Sequence, residues 1–81
     1  MRLDKFLKVS RLIKRRTVAA SACGTGRVYV NGRLAKPGHQ LKVDDTITVE
    51  FGSKPLTVRV KMLQESVRKE DAELMYEVIS E

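Results

Sequence analysis

The chain has 81 residues, of which 42% are hydrophobic and 32% charged, a globular balance rather than a disordered one. Its formal net charge is +6 and its sequence pI about 9.8, which points to a polyanionic partner. So small a core leaves little room for a catalytic pocket, no apolar run approaches the ~20 residues of a bilayer span, and Cys23 as the sole cysteine excludes an internal disulfide. Met1 to Val9 alternates charged with apolar residues, unlike a secretory leader, so a soluble, cytoplasmic, single domain is expected.

The first predicted element is a short amphipathic helix over about Arg2–Val9. Leu3, Phe6 and Leu7 form one stripe, with Arg2, Lys5 and Lys8 on the opposite side. Ser10 to Lys14 breaks it, with Leu12 and Ile13 turning inward. A second helix follows from about Arg16 to Thr25, its apolar side made by Val18, Ala19, Ala22 and Cys23. Thr17 is one N-cap candidate, and Gly24 and Gly26 supply the stop.

From Arg27 the period becomes two. Val28 and Val30 alternate with Arg27 and Tyr29, and Asn31-Gly32 signals a tight hairpin because both residues tolerate positive φ. Leu34 begins the return strand, and Lys36-Pro37-Gly38 and Asp44-Asp45 read as turns. Ile47, Val49 and Phe51 alternate with polar residues. Gly52-Ser53-Lys54-Pro55 then turns the chain into a strand carrying Leu56, Val58 and Val60. Ala72, Met75, Tyr76 and Ile79, spaced by three and four, predict a last helix over about Lys69–Ile79, with Glu70, Asp71 and Glu73 suiting its N-terminal dipole. The expected fold is α+β: two N-terminal helices packed on a small antiparallel sheet, plus a C-terminal helix.

Charge is distributed unevenly. Met1 to Arg16 carries seven Lys or Arg against one acid, Asp4, whereas Glu65 to Glu81 carries six acids against two bases. Such a gradient marks a binding face rather than general solubility. Arg2, Lys5 and Lys8 on the first helix, Arg11, Lys14, Arg15 and Arg16 after it, and Arg27, Arg33 and Lys36 around the hairpin are therefore the candidate RNA contacts. Each cation that neutralises a phosphate releases counterions, and arginine adds a planar fork for phosphate or an exposed base. Asp4 either holds nearby arginines in position or sits at the helix start for dipole reasons.

No catalytic residues, metal or cofactor are expected. His39 is the only histidine and lacks partners at ligand spacing. Gly24-Thr25-Gly26 lacks the Gly-Lys-Ser/Thr of a phosphate loop, and Cys23 reads as a small buried hydrophobe. Aromatic residues make up only 5% of the chain, so Tyr29 has no stacking platform around it, and recognition of folded RNA by shape and backbone is favoured.

The run Arg2-Leu3-Asp4-Lys5-Phe6-Leu7, then Arg11, Arg16, Ala19 and Gly26-x-Val28-x-Val30-Asn31-Gly32, resembles the S-four RNA-binding domain, or alpha-L motif. Lys36-Pro37-Gly38 and Val43-x-Asp45-x-Ile47 continue the pattern, which covers roughly residues 2–51, with a strand and helix to follow over about 55–79. The whole chain is similar to two stand-alone bacterial branches of that family, one of ribosome quality-control factors and one of short heat-shock proteins. The stretch Lys8 to Thr17 and Met75-Tyr76 sit nearer the first branch.

That resemblance implies binding to obstructed large ribosomal subunits through large-subunit rRNA and peptidyl-tRNA. It also implies assistance to a tail-elongating quality-control protein of the RqcH type, which adds C-terminal alanine tails. Arg2, Lys5, Lys8, Arg11 and Arg16 match the family's RNA-contacting positions. Arg15 stands where many members carry Ser or Thr to cap the second helix. Asp44 stands where members usually carry Gly, so a left-handed but intact turn is expected there.

The competing readings are a heat-shock recycling factor, a constitutive structural ribosomal protein, an RNA-modifying enzyme and a duplex-DNA binder. A catalytic domain has no space in 81 residues, and two helices before a sheet imitate a helix-turn-helix.

Overall fold

The computed structural model describes residues 1–51 and 53–80, with element order α1 (Leu3–Val9), α2 (Arg16–Gly24), β1 (Val28–Val30), β2 (Arg33–Leu34), β3 (Thr46–Phe51), β4 (Lys54–Val60), a 3-10 helix (Lys69–Met75) and β5 (Tyr76–Ser80). The strands form one antiparallel sheet in the order β2-β1-β3-β4-β5. Gly52, placed by the sequence in a turn, lies outside the described residues.

Both early helices form where the apolar stripe predicts. Leu3, Phe6 and Leu7 of α1 and Ala19 of α2 are fully buried, and Cys23 nearly so. Burying side chains as large as Phe6, Leu3 and Leu7 contributes roughly 1.5–3 kcal/mol each. At α1's N-terminus the first orphan amides are satisfied by a loop rather than a side chain: Leu3 N–H donates to the His39 carbonyl at 2.8 Å and Asp4 N–H to that of Pro37 at 3.1 Å. The segment around Lys36-Pro37-Gly38 is thereby fastened to the start of α1.

The break after α1 has a specific cause. Arg11 adopts φ 64°, the left-handed conformation that ends helices, and Ile13 N–H returns to the Leu7 carbonyl at 3.0 Å. At α2's start, Arg15 occupies the N-cap without a side-chain cap, so the candidacy of Thr17 is corrected: Thr17 already lies inside the helix. At its end, Gly26 has φ 78°, and Arg27 N–H and Gly26 N–H bond back to the Ala22 and Cys23 carbonyls at 3.0 and 3.3 Å, a Schellman stop.

In the sheet, Val28 faces Val49, Val30 faces Ile47, and Ile47 faces Val58, so the alternating apolar residues of three strands meet beneath the helices. On the other face the Thr48 and Thr57 hydroxyls pair at 3.0 Å. Asn31 and Gly32 both take positive φ, 52° and 80°, as the tight hairpin requires. The Asn31 side chain also clasps the next turn: its Oδ1 accepts Thr46 N–H and the Thr46 hydroxyl, both at 3.0 Å, and its Nδ2 donates to Asp45 Oδ1 at 3.1 Å. Asp44 sits at φ 78°, the left-handed turn anticipated for it.

The expected helix over Lys69–Ile79 is shorter than predicted. It ends at Met75 as a 3-10 helix burying Ala72 and Met75, and Tyr76–Ser80 forms β5. Val78 pairs with Val58 and Tyr76 with Val60. A strand-favouring Tyr-x-Val-Ile run beside the otherwise unpaired edge of β4 outweighs the three-and-four spacing that also fits a helix.

Candidate nucleic-acid interface

The candidate interface is organised by a buried acid. Asp4 is only 3% exposed, in the first turn of α1. Arg2 grips its carboxylate with two prongs, Nε to Oδ1 at 3.2 Å and Nη2 to Oδ2 at 3.3 Å. Arg16, the first residue of α2, places Nε 3.6 Å from the same Oδ2. Lys5 N–H adds a 2.8 Å bond to Oδ1. The side chains of both arginines are about half exposed, 51% against 5% for Asp4, so the acid lies inward and the guanidinium heads face solvent. Arg2 spends two of its five N–H donors on Asp4, leaving three for a phosphate or base edge. Of the two roles open to Asp4 in the sequence, the structure selects the positioning one.

The remaining candidates distribute around this cluster. The Arg2 guanidinium lies against Gly38, 3.9 Å from where a Cβ would sit, and lines one concavity with Lys36 and His39. Arg33 lines an adjoining concavity that shares Leu34, Ala35 and His39. Helical geometry keeps Lys5 and Lys8 on α1's outer arc, away from the buried Leu3, Phe6 and Leu7. Lys14 and Arg27 line a third concavity, between the α1–α2 connection, α2 and β3. Arg11 and Arg15 are exposed in and at the end of that connection, and no ion pair among the described residues ties either to Asp4. The structure thus joins Arg2 and Arg16 through Asp4, places Lys36 in the same concavity as Arg2, brings Arg33 alongside, and sets Lys14 and Arg27 apart.

Lys5 has a partner that sequence reading missed. Its ammonium bonds the Glu65 carboxylate, which comes from the acidic C-terminal part of the chain, and holds that carboxyl below its usual range. Arg59 and Lys61 both pair with Glu77 at 3.8 Å, so one further acid of this part is matched at the sheet rather than on the helices. Cys23 sits in the core, its thiol pushed up to about 11, first by burial and then by the negative charge of Asp4. Among the described residues no group of three or more His, Cys, Asp or Glu could hold a metal ion, and no helix is long and apolar enough to cross a membrane.

A small α+β unit whose helix pair presents arginines fixed by a buried carboxylate defines an RNA-binding module. Comparison with known proteins gives the family: the S4 domain model matches residues 1–47, and the chain belongs to the S4 domain family. The chain is 57% identical over 81 residues to the "RQC P-site tRNA stabilizing factor" of Streptococcus pneumoniae, covering 100% of this chain and 92% of that protein. It is 35% identical over 82 residues to Escherichia coli Heat shock protein 15, covering 100% of this chain but 62% of that protein. Its fold matches the trimeric structure of Vibrio cholerae Heat Shock Protein 15 with a TM-score of 0.91 at 29% identity, over 98% of this chain and 81% of that one.

Proposed function

We propose that this chain is a non-enzymatic RNA-binding factor of ribosome-associated quality control, acting in the cytoplasm on obstructed large ribosomal subunits. In this reading Arg2, Arg16 and Lys36 hold large-subunit rRNA, with Lys5, Lys8, Arg11, Lys14, Arg15, Arg27 and Arg33 extending the grip, and the complex steadies peptidyl-tRNA. A tail-elongating partner of the RqcH type then adds alanine to the stalled chain while the RNA is held.

The observation that carries the reading is the Arg2–Asp4–Arg16 cluster, in which two helices aim guanidinium heads outward from one buried acid. The near full-length similarity to a factor named for stabilising P-site tRNA supports the biological setting. A heat-shock recycling role is the second reading, favoured by the close fold match to Heat Shock Protein 15. Against it, the chain is 57% identical to the Streptococcus factor but only 35% identical to the Escherichia coli protein.

Co-sedimentation tests the reading. The wild-type chain is expected to travel with large subunits that retain peptidyl-tRNA and to be depleted from empty ones. Arg16→Ala is expected to leave the subunit fraction. Equal, stoichiometric presence on all large subunits would instead indicate a constitutive structural protein.

A further inference from the structure

The concavity that holds Lys14 and Arg27 has a composition the Asp4 cluster lacks. Its volume is about 390 Å3, in the range of small-ligand sites, and its exposed wall is mostly carbon. Leu12 of the α1–α2 connection and Val18 and Ala22 of α2 supply that wall, over the buried Ile13 and Val49. Along α2, Arg16 and Val18 point roughly 160° apart at 3.6 residues per turn, so this recess and the Asp4 cluster lie on different sides of the helix.

Two features suggest that the recess is built for something. Val18 is 51% exposed although it follows Arg15, Arg16 and Thr17, where a polar side chain would be accommodated equally well. Arg27 is held between two elements, its N–H donating to the Ala22 carbonyl at 3.0 Å and its carbonyl accepting Glu50 N–H at 2.9 Å. Neither Lys14 nor Arg27 makes an ion pair among the described residues, even though Glu50 shares the rim. Both cations are therefore on offer to a ligand, above an apolar floor.

The chemistry of the occupant follows. A paired stretch of RNA presents phosphates to the cations but nothing to the carbon wall, because its bases are stacked inside the helix. An apolar peptide suits the wall but leaves two cations without anions. A nucleotide that has left its stack satisfies both at once. We propose that this recess receives one unstacked nucleotide, its base against Leu12, Val18 and Ala22 and its phosphate between Lys14 and Arg27. The proposal rests on the RNA-binding reading above and specifies which part of the RNA enters the protein here.

The test compares two synthetic RNA hairpins with the full chain, one fully paired and one with the same stem carrying a single bulged guanosine. Wild type is expected to bind the bulged hairpin about tenfold more tightly, toward the low end of what one base contact contributes. Val18→Gln, at an exposed position where folding is retained, is expected to reduce that advantage below about twofold while leaving affinity for the paired hairpin unchanged. Lys14→Ala is expected to reduce it as well, and an unchanged thermal midpoint confirms that each variant is folded. Equal wild-type binding to both hairpins, or a full bulge advantage in Val18→Gln, overturns the proposal and leaves the RNA-binding reading intact. Failure of wild type to bind either hairpin overturns both.

Discussion

Arg16 and Asp4 stand at the N-terminal ends of two different helices, yet the Arg16 Nε lies 3.6 Å from the Asp4 Oδ2. The same carboxylate accepts two bonds from Arg2, one at Oδ1 and one at the Oδ2 that Arg16 approaches. One acid with 3% exposure thus sets the angle of two arginines from separate elements. An unsupported surface arginine would sample many rotamers and lose that freedom on binding; under the proposed function, much of that ordering is done in the free protein.

Asp4→Asn should therefore weaken RNA binding, although it removes a negative charge from a basic face. Charge counting alone predicts the opposite sign. A loss of about tenfold in affinity is expected, together with a stability loss of about 1–2 kcal/mol from breaking charge-assisted hydrogen bonds at a buried acceptor. Filter binding and thermal denaturation of the same variant measure the two effects.

Lys5 is engaged by Glu65 in the free protein, and under the proposed function an RNA phosphate at Lys5 competes with that carboxylate. Glu65→Gln is expected to raise RNA affinity about twofold to threefold at low salt, with the gain fading as ionic strength rises, because the pair is exposed and screened. Titration at two salt concentrations checks it. A loss of affinity would show that Glu65 orients Lys5 rather than occupying it.

The Asn31 side chain links the β1–β2 hairpin to the turn before β3 through three hydrogen bonds, while its backbone holds φ 52°. Asn31→Gly relieves the backbone but removes the bonds; Asn31→Ala loses both. Urea unfolding is expected to show Ala as the worse substitution, costing about 2 kcal/mol, with Gly between Ala and wild type.

The Cys23 thiol has its pKa raised to about 11 from a usual 9.0. Below pH 9 it is protonated whether the chain is folded or not, and stability does not depend on it. As pH climbs from 9 toward 11, the unfolded chain releases the proton and the folded one keeps it, so stability falls with rising pH. Comparing the slopes for wild type and Cys23→Ala isolates this contribution, expected to reach on the order of 2 kcal/mol. At neutral pH the thiol should resist alkylation until the protein unfolds.

Much of this architecture was legible from periodicity. Leu3, Phe6 and Leu7 announced α1, the Val28/Val30 alternation with Asn31-Gly32 announced the hairpin, and the basic opening marked the arginines that gather at Asp4. What escaped notice depends on contacts between distant segments. The Lys5–Glu65 pair joins residues sixty positions apart, and the Asn31 clasp to Asp45 and Thr46 closes only once two turns meet. Tyr76–Ser80 fits two periods, and the free edge of β4 decides between them. Arg11 ends α1 in a left-handed conformation with no glycine to mark it. The role of Asp4 was half legible: its place amid cations was visible, but its burial was not.

The most direct measurement is the affinity of the chain for large-subunit rRNA across a salt series, for wild type and Arg16→Ala. A linear fall of log affinity with log salt is expected for wild type, and for Arg16→Ala weaker binding with a slope shallower by about one phosphate contact. An Arg16→Ala variant that keeps the wild-type affinity and slope would contradict the assignment of the Asp4-anchored arginines to the RNA.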